Sequence, residues 1–99
     1  MTQEVFNRYV KKVCELFSVE QELLFKKNKR QDIVAARFLL YYLCSISPMK
    51  TVYIQRHMAK NGYIIAHSSI LYGIRDVRNR VKTDEDYIEA IKELMFILK

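Results

Sequence analysis

The chain has no tryptophan, one proline and two glycines, so it lacks most of the punctuation that strands and hairpins require. An all-α fold is the expectation. No apolar run is long enough to span a bilayer, so no membrane association is expected. Cys14 and Cys44 form no Cys-x-x-Cys pair and join no histidine cluster. Set among apolar residues, they read as buried thiols in a reducing compartment. The opening Met-Thr-Gln-Glu-Val lacks the cationic start and apolar run of a signal peptide, which points to a cytoplasmic protein. His57 and His67 have no cysteine or carboxylate pair placed to complete a metal site. His67 shares one helical turn with Ser68 and Ser69, where side chains diverge, so no catalytic triad is built there. Neither an enzyme nor a cofactor is expected.

What is present is a chain of 99 residues, 51% apolar, with a net charge of +6. That length suits one domain over residues 1–99. Apolar spacing predicts a helix over residues 3–17, with Thr2 as its cap and a stripe of Val5, Phe6, Tyr9, Val10, Val13, Leu16 and Phe17. A short helix over 20–25 turns Leu23 and Leu24 inward, and a basic loop follows, Lys26-Lys27-Asn28-Lys29-Arg30. Residues 32–46 are apolar nearly all round, the pattern of a central helix, with Arg37 the one charge after Asp32. Tyr41, Tyr42 and Tyr53 read as packing residues. Ser47-Pro48 is a start signal, serine capping and proline in the first turn, for a helix over 49–59. Asn61-Gly62 stops it. Tyr63, Ile64 and Ile65 are expected to turn back into the core. Thr83 with Asp84, Glu85 and Asp86 caps a last helix over 84–98, whose inner stripe is Ile88, Ile91, Leu94, Met95 and Leu98. The total is five to six helices in a compact bundle.

The stretch over 67–81 organises the rest. Ile70, Leu71, Ile74, Val77 and Val81 gather on one side of a helix. Ser68, Ser69, Tyr72, Arg75, Arg78 and Asn79 fall on the others. The first turn, His67-Ser68-Ser69, consists of short polar residues that favour helix starts. It is placed to reach base edges, Tyr72 one turn on, while Arg75 and Arg78 meet phosphates, as the second helix of a helix-turn-helix does in the major groove. Charge is unevenly spread. Residues 47–82 carry +6 and 83–99 carry −3, which favours an anionic partner for the middle of the chain.

The order Val-Cys-Glu-Leu-Phe-Ser-Val, Leu23-Leu24, a basic loop, Arg37 leading into an apolar helix, then His67-Ser68-Ser69-Ile70-Leu71-Tyr72 and an Asp-capped final helix resembles a known family. That family is the C-terminal DNA-binding domain of the bacterial replication initiator DnaA, itself similar to the Trp repressor. The resemblance runs over residues 5–98. It implies that His67, Ser68 and Ser69 touch bases and phosphate in the major groove. It places Arg30, from the loop with Lys26, Lys27 and Lys29, in the adjacent minor groove. Arg37 and the start of the Pro48 helix, including Lys50, would lie along the phosphate backbone. Where the family has Arg-Asp before the histidine, this chain has Ile65-Ala66, which removes a cationic contact and an acceptor for a cytosine amino group. The connection before His67 is also longer. No Gly-x-x-x-x-Gly-Lys-[Ser/Thr] loop occurs, so the family's ATPase step is absent.

The resulting expectation is a freestanding, sequence-specific double-stranded DNA-binding module, monomeric or weakly oligomeric. It would serve replication origin recognition or transcription regulation on the nucleoid. A small unit of this kind beginning at Met1 suits a phage or mobile element acting in the host cytoplasm. The alternative is a protein-interaction module that kept the fold and modulates the host replication machinery without binding DNA.

Overall fold

A helix with no polar face has to be covered on every side, and the fold is arranged around that requirement. The computed structural model describes the backbone of residues 2–47 and 49–98, and side chains within 3–47 and 49–95. Among them are six helices and no strand: α1 (Thr2–Phe17), α2 (Gln21–Leu24), α3 (Gln31–Ile46), α4 (Thr51–Lys60), α5 (His67–Thr83) and α6 (Glu85–Leu98). None is long and apolar enough to cross a membrane. The protein is an all-α bundle. Helix α3 is its centre, packed most heavily on α5 and then on α1. Leu39, Leu40, Tyr41, Leu43 and Cys44 of α3 are essentially inaccessible. They meet Phe6, Tyr9, Val10 and Val13 of α1, Ile54 and Met58 of α4, and Ile70, Ile74 and Val77 of α5 in one continuous core. Each such buried side chain contributes about 1.5–3 kcal/mol relative to an exposed one.

Local signals explain most helix ends. After α4, Gly62 takes φ +94. Its N–H bonds to Ala59 O, and the next N–H, from Tyr63, bonds to Met58 O. This is a Schellman closure, which needs the left-handed conformation that glycine adopts without strain. Helix α1 closes in the same way, but with Ser18 at φ 55 in the glycine position. Asp84 caps α6 by accepting the Asp86 N–H at 3.0 Å. The cap is therefore Asp84 rather than Thr83, which still belongs to α5.

Other expectations require correction. Ser47 does not cap α4. Its N–H completes the end of α3, its hydroxyl bonds Tyr9, and Lys50 occupies the α4 cap position. The first-turn role expected of Pro48, the side-chain cap from Thr2 and the inward turn of Leu98 lie outside the described residues. Leu16 sits at the margin of its stripe and is exposed, as is Tyr53. Leu71 is 45% exposed, whereas Ile70, one position earlier, is buried. Successive helical residues are rotated by about 100°, and on α5 that step carries Leu71 off the side on which Ile70, Ile74 and Val77 pack. Both cysteines are free and buried, and burial pushes the Cys44 thiol up to about 12.

Candidate nucleic-acid interface

Helix α5 begins at His67, where its sequence says it should. Ala66 precedes it in extended conformation and provides no side-chain cap. The His67 and Ser68 N–H groups, in the first turn, therefore have no intrahelical acceptor. Burial divides the helix cleanly. Ile70, Gly73, Ile74 and Val77 are buried against the bundle. His67, Ser68, Ser69, Tyr72, Arg75, Arg78 and Asn79 are exposed. Ser68, Tyr72, Arg75, Asn79 and Lys82 recur at spacings of three and four, so they form a single outward line along the helix.

Gly73 is a residue the sequence reading passed over. It lies between Ile70 and Ile74 on the packed side, and a Cβ there would stand 2.7 Å from Phe38 Cδ1 and 3.0 Å from Tyr41 Cδ2. The missing side chain lets α5 close onto α3. The available signal was a glycine inside an apolar helical stripe, which usually has a packing reason. Tyr72, directly before it, meets Phe38 edge-on with ring centroids 5.8 Å apart.

The basic loop is brought to the same side. Lys27 and Asn28 line a cleft of about 700 Å³ together with Ser68 and Ser69. Lys29 lines a second cleft with Tyr72 and Arg80. Lys26, Lys27, Lys29 and Arg30 are all exposed. Arg30 is not free, however. Its Nη2 lies 2.8 Å from Asp32 Oδ2, and its backbone N–H bonds Asn28 Oδ1 at 2.8 Å. The hydrogen bond from Arg30 holds the Asp32 carboxyl below the ordinary carboxylate range. Lys50 is exposed at the head of α4.

Arg37 overturns its expected role as a phosphate contact. It is only 4% exposed. Its Nε donates to Leu24 O at 2.7 Å, and Nη2 donates to Lys26 O. The guanidinium also lies 4.5 Å above the Tyr63 ring. A fork of five donors suits several carbonyls at once, so Arg37 is committed to holding the basic loop in shape. The connection before α5 also departs from expectation. Tyr63 and Ile65 are half-buried, and Ile65 O accepts from Gln55 Nε2 at 2.8 Å, but Ile64 is 80% exposed.

The sequence reading treated Tyr41 as a plain packing residue, which it is, but with an unusual end. Tyr41 is wholly buried beside the 700 Å³ cleft, and its hydroxyl has no hydrogen-bond partner among the described residues. Burial pushes its ionisation above the ordinary tyrosine value, with Tyr63 adding to that effect and Arg37 opposing it. A buried hydroxyl without a partner costs about 1–3 kcal/mol, so it calls for an explanation. Comparisons with protein-family models, with curated proteins and with solved structures find no match.

Proposed function

We propose that the chain binds double-stranded DNA through α5, laid in the major groove as the second helix of a helix-turn-helix, with residues 26–30 at the neighbouring minor groove. The observation that carries this reading is the outward line of α5. Hydroxyl, aromatic, amide and cationic groups project from it, over a base of buried apolar residues. Short donors at the helix start suit base edges, and arginines further along suit phosphates. The +6 charge of residues 47–82 supplies the sequence-independent attraction. The resemblance to the DnaA C-terminal domain agrees with this reading and suggests a role in replication origin recognition or transcription regulation. Without Arg-Asp before His67, the preferred site should differ from the initiator's box at the base pair that the aspartate would read.

Binding of a random-sequence duplex across a salt series tests the proposal. With roughly five phosphate contacts, log affinity should fall against log salt with a slope of about −4 to −5, and Arg75→Ala should reduce that slope by about one. A slope near zero, or no binding at low salt, sinks it.

The protein-interaction reading draws on a different observation. Ile64, Tyr72 and Leu71 are 80%, 61% and 45% exposed, a concentration of apolar surface around the start of α5. Under that reading Ile64→Ser abolishes association with a protein partner and Arg75→Ala leaves it intact.

A further inference from the structure

Two clefts beside α5 share a wall. The larger, about 700 Å³, is lined by Ile64 and Lys27, and the smaller, about 450 Å³, by Lys29 and Tyr87. Val34, Phe38 and Tyr72 line both, so together they form one groove between α3 and α5. Val34, Ala35 and Phe38 are only half-buried there. Ile64, at 80%, and Tyr72, at 61%, are the most exposed large apolar side chains among the described residues, and both line this groove. Apolar surface gathered in this way marks a docking site. The charge is one-sided as well. Four cations line the groove, Lys27, Lys29, Arg37 and Arg80, against one carboxylate, Asp76, which already bonds Arg80 at 2.9 Å. Arg37 bonds only carbonyls, so its charge meets no carboxylate among the described residues.

We propose that this groove docks an acidic amphipathic helix of a partner protein. Its apolar face lies against Phe38, Tyr72 and Ile64, and its carboxylates face Lys27 and Lys29. The inference rests on the protein-interaction reading above and gives that partner its chemistry. The occupant is a helix because both walls are helices, and no sheet edge exists among the described residues. An extended peptide would leave its own N–H and C=O groups unpaired over apolar side chains. A helix arrives with those groups satisfied, and presents apolar residues three, four and seven positions apart to the groove. A phosphate backbone would meet the same cations but gains nothing from the apolar floor. Partner and duplex are rivals, since both claim Tyr72 and Lys27.

The test selects from a displayed library of random peptides of about 16 residues, or about four turns of helix, on the full chain. Enriched peptides should be acidic, carry Leu, Ile, Met or aromatic residues at helical spacing, and gain helical circular dichroism when bound. Synthetic copies, followed by fluorescence anisotropy, should bind the Ile64→Ser/Tyr72→Ala variant at least about tenfold more weakly. Lys27→Glu/Lys29→Glu, on the exposed loop and away from the core, should weaken them by a similar factor. Val52→Ser, an exposed apolar position lining neither cleft, should leave binding unchanged. Peptides that bind all these variants equally overturn the proposal, as does an absence of enriched peptides. Neutral or basic peptides that still need Ile64 and Tyr72 overturn the acidic helix while leaving the interaction reading standing. A duplex that displaces the bound peptide upholds both readings, and peptide binding without duplex binding sinks the duplex reading alone.

Discussion

The guanidinium carbon of Arg37 lies over the ring of Tyr63, 4.5 Å from its centroid, joining α3 to the segment that leads into α5. The same guanidinium holds the carbonyls of Leu24 and Lys26. One side chain thus fixes the basic loop and the approach to α5 relative to each other.

Arg37→Ala should therefore destabilise the fold by about 3 kcal/mol, because it unpairs the buried Leu24 carbonyl and the part-buried Lys26 carbonyl and removes the packing on Tyr63. Arg37→Lys should recover only part, since one ammonium cannot span the same set. Urea unfolding midpoints measure this. An unchanged midpoint combined with weakened DNA binding would restore Arg37 to the phosphate contacts.

Gly73→Ala sets two effects against each other. The methyl group improves helix propensity by about 1 kcal/mol. It also lands 2.7 Å from Phe38 Cδ1, where no real Cβ contact lies. Overpacking should win, with a net loss of about 1–2 kcal/mol. Phe38→Ala in the same chain should relieve part of it. A thermal midpoint equal to or above that of the parent protein would show that α5 does not press on α3 as described.

His57 gives the stability a pH dependence. It is buried, stacked on Phe6 with centroids 5.0 Å apart, and its Nε2 has no partner among the described residues. Burial first, and then Lys60, hold its pKa below the ordinary value of 6.5. The unfolded chain takes up the proton more readily than the folded one. The contribution to stability is thus present above 6.5 and is lost as pH falls through the lower folded value. Denaturation midpoints should drop between about pH 7.5 and about pH 5, and His57→Phe should flatten that component. Equal pH profiles for the two proteins would show that other groups set it.

Arg30 is restrained by Asp32 across 2.8 Å. Asp32→Asn keeps an acceptor for the Ile33 N–H but removes the charge that competes with phosphate. Duplex affinity should rise by about two- to fivefold, the scale of an exposed ion pair. The gain should be larger on A·T-rich flanks if Arg30 enters a minor groove. A gain equal on all flanks would make Arg30 a plain phosphate contact.

How much of this was legible in the sequence depended on whether the signal was local. The start of α5 was readable because His67-Ser68-Ser69 suits a first turn and Asn61-Gly62 closes the helix before it. The polar line along α5 followed from periodicity alone. Arg37 could not be placed from sequence. Its partners are carbonyls in the 23–28 segment and a ring at Tyr63, and a backbone carbonyl has no residue signature. Leu71 and Ile64 misled because apolar character says that a side chain favours burial, while the backbone decides which of two neighbours obtains it. The Tyr41 hydroxyl was hidden for the opposite reason, since a tyrosine in an apolar helix looks fully accounted for by its ring.

The two buried thiols give the molecule a native stopwatch. Cys44 is inaccessible and its thiol is pushed up to about 12, so a disulfide reagent has neither access nor thiolate to attack while the bundle is closed. Modification at Cys44 then proceeds only as fast as α3 parts from its neighbours. Cys14, on α1 and close to the Ser18 turn, reports separately on the lifting of that helix. The ratio of the two labelling rates, taken without any introduced probe, gives the order in which the bundle comes apart.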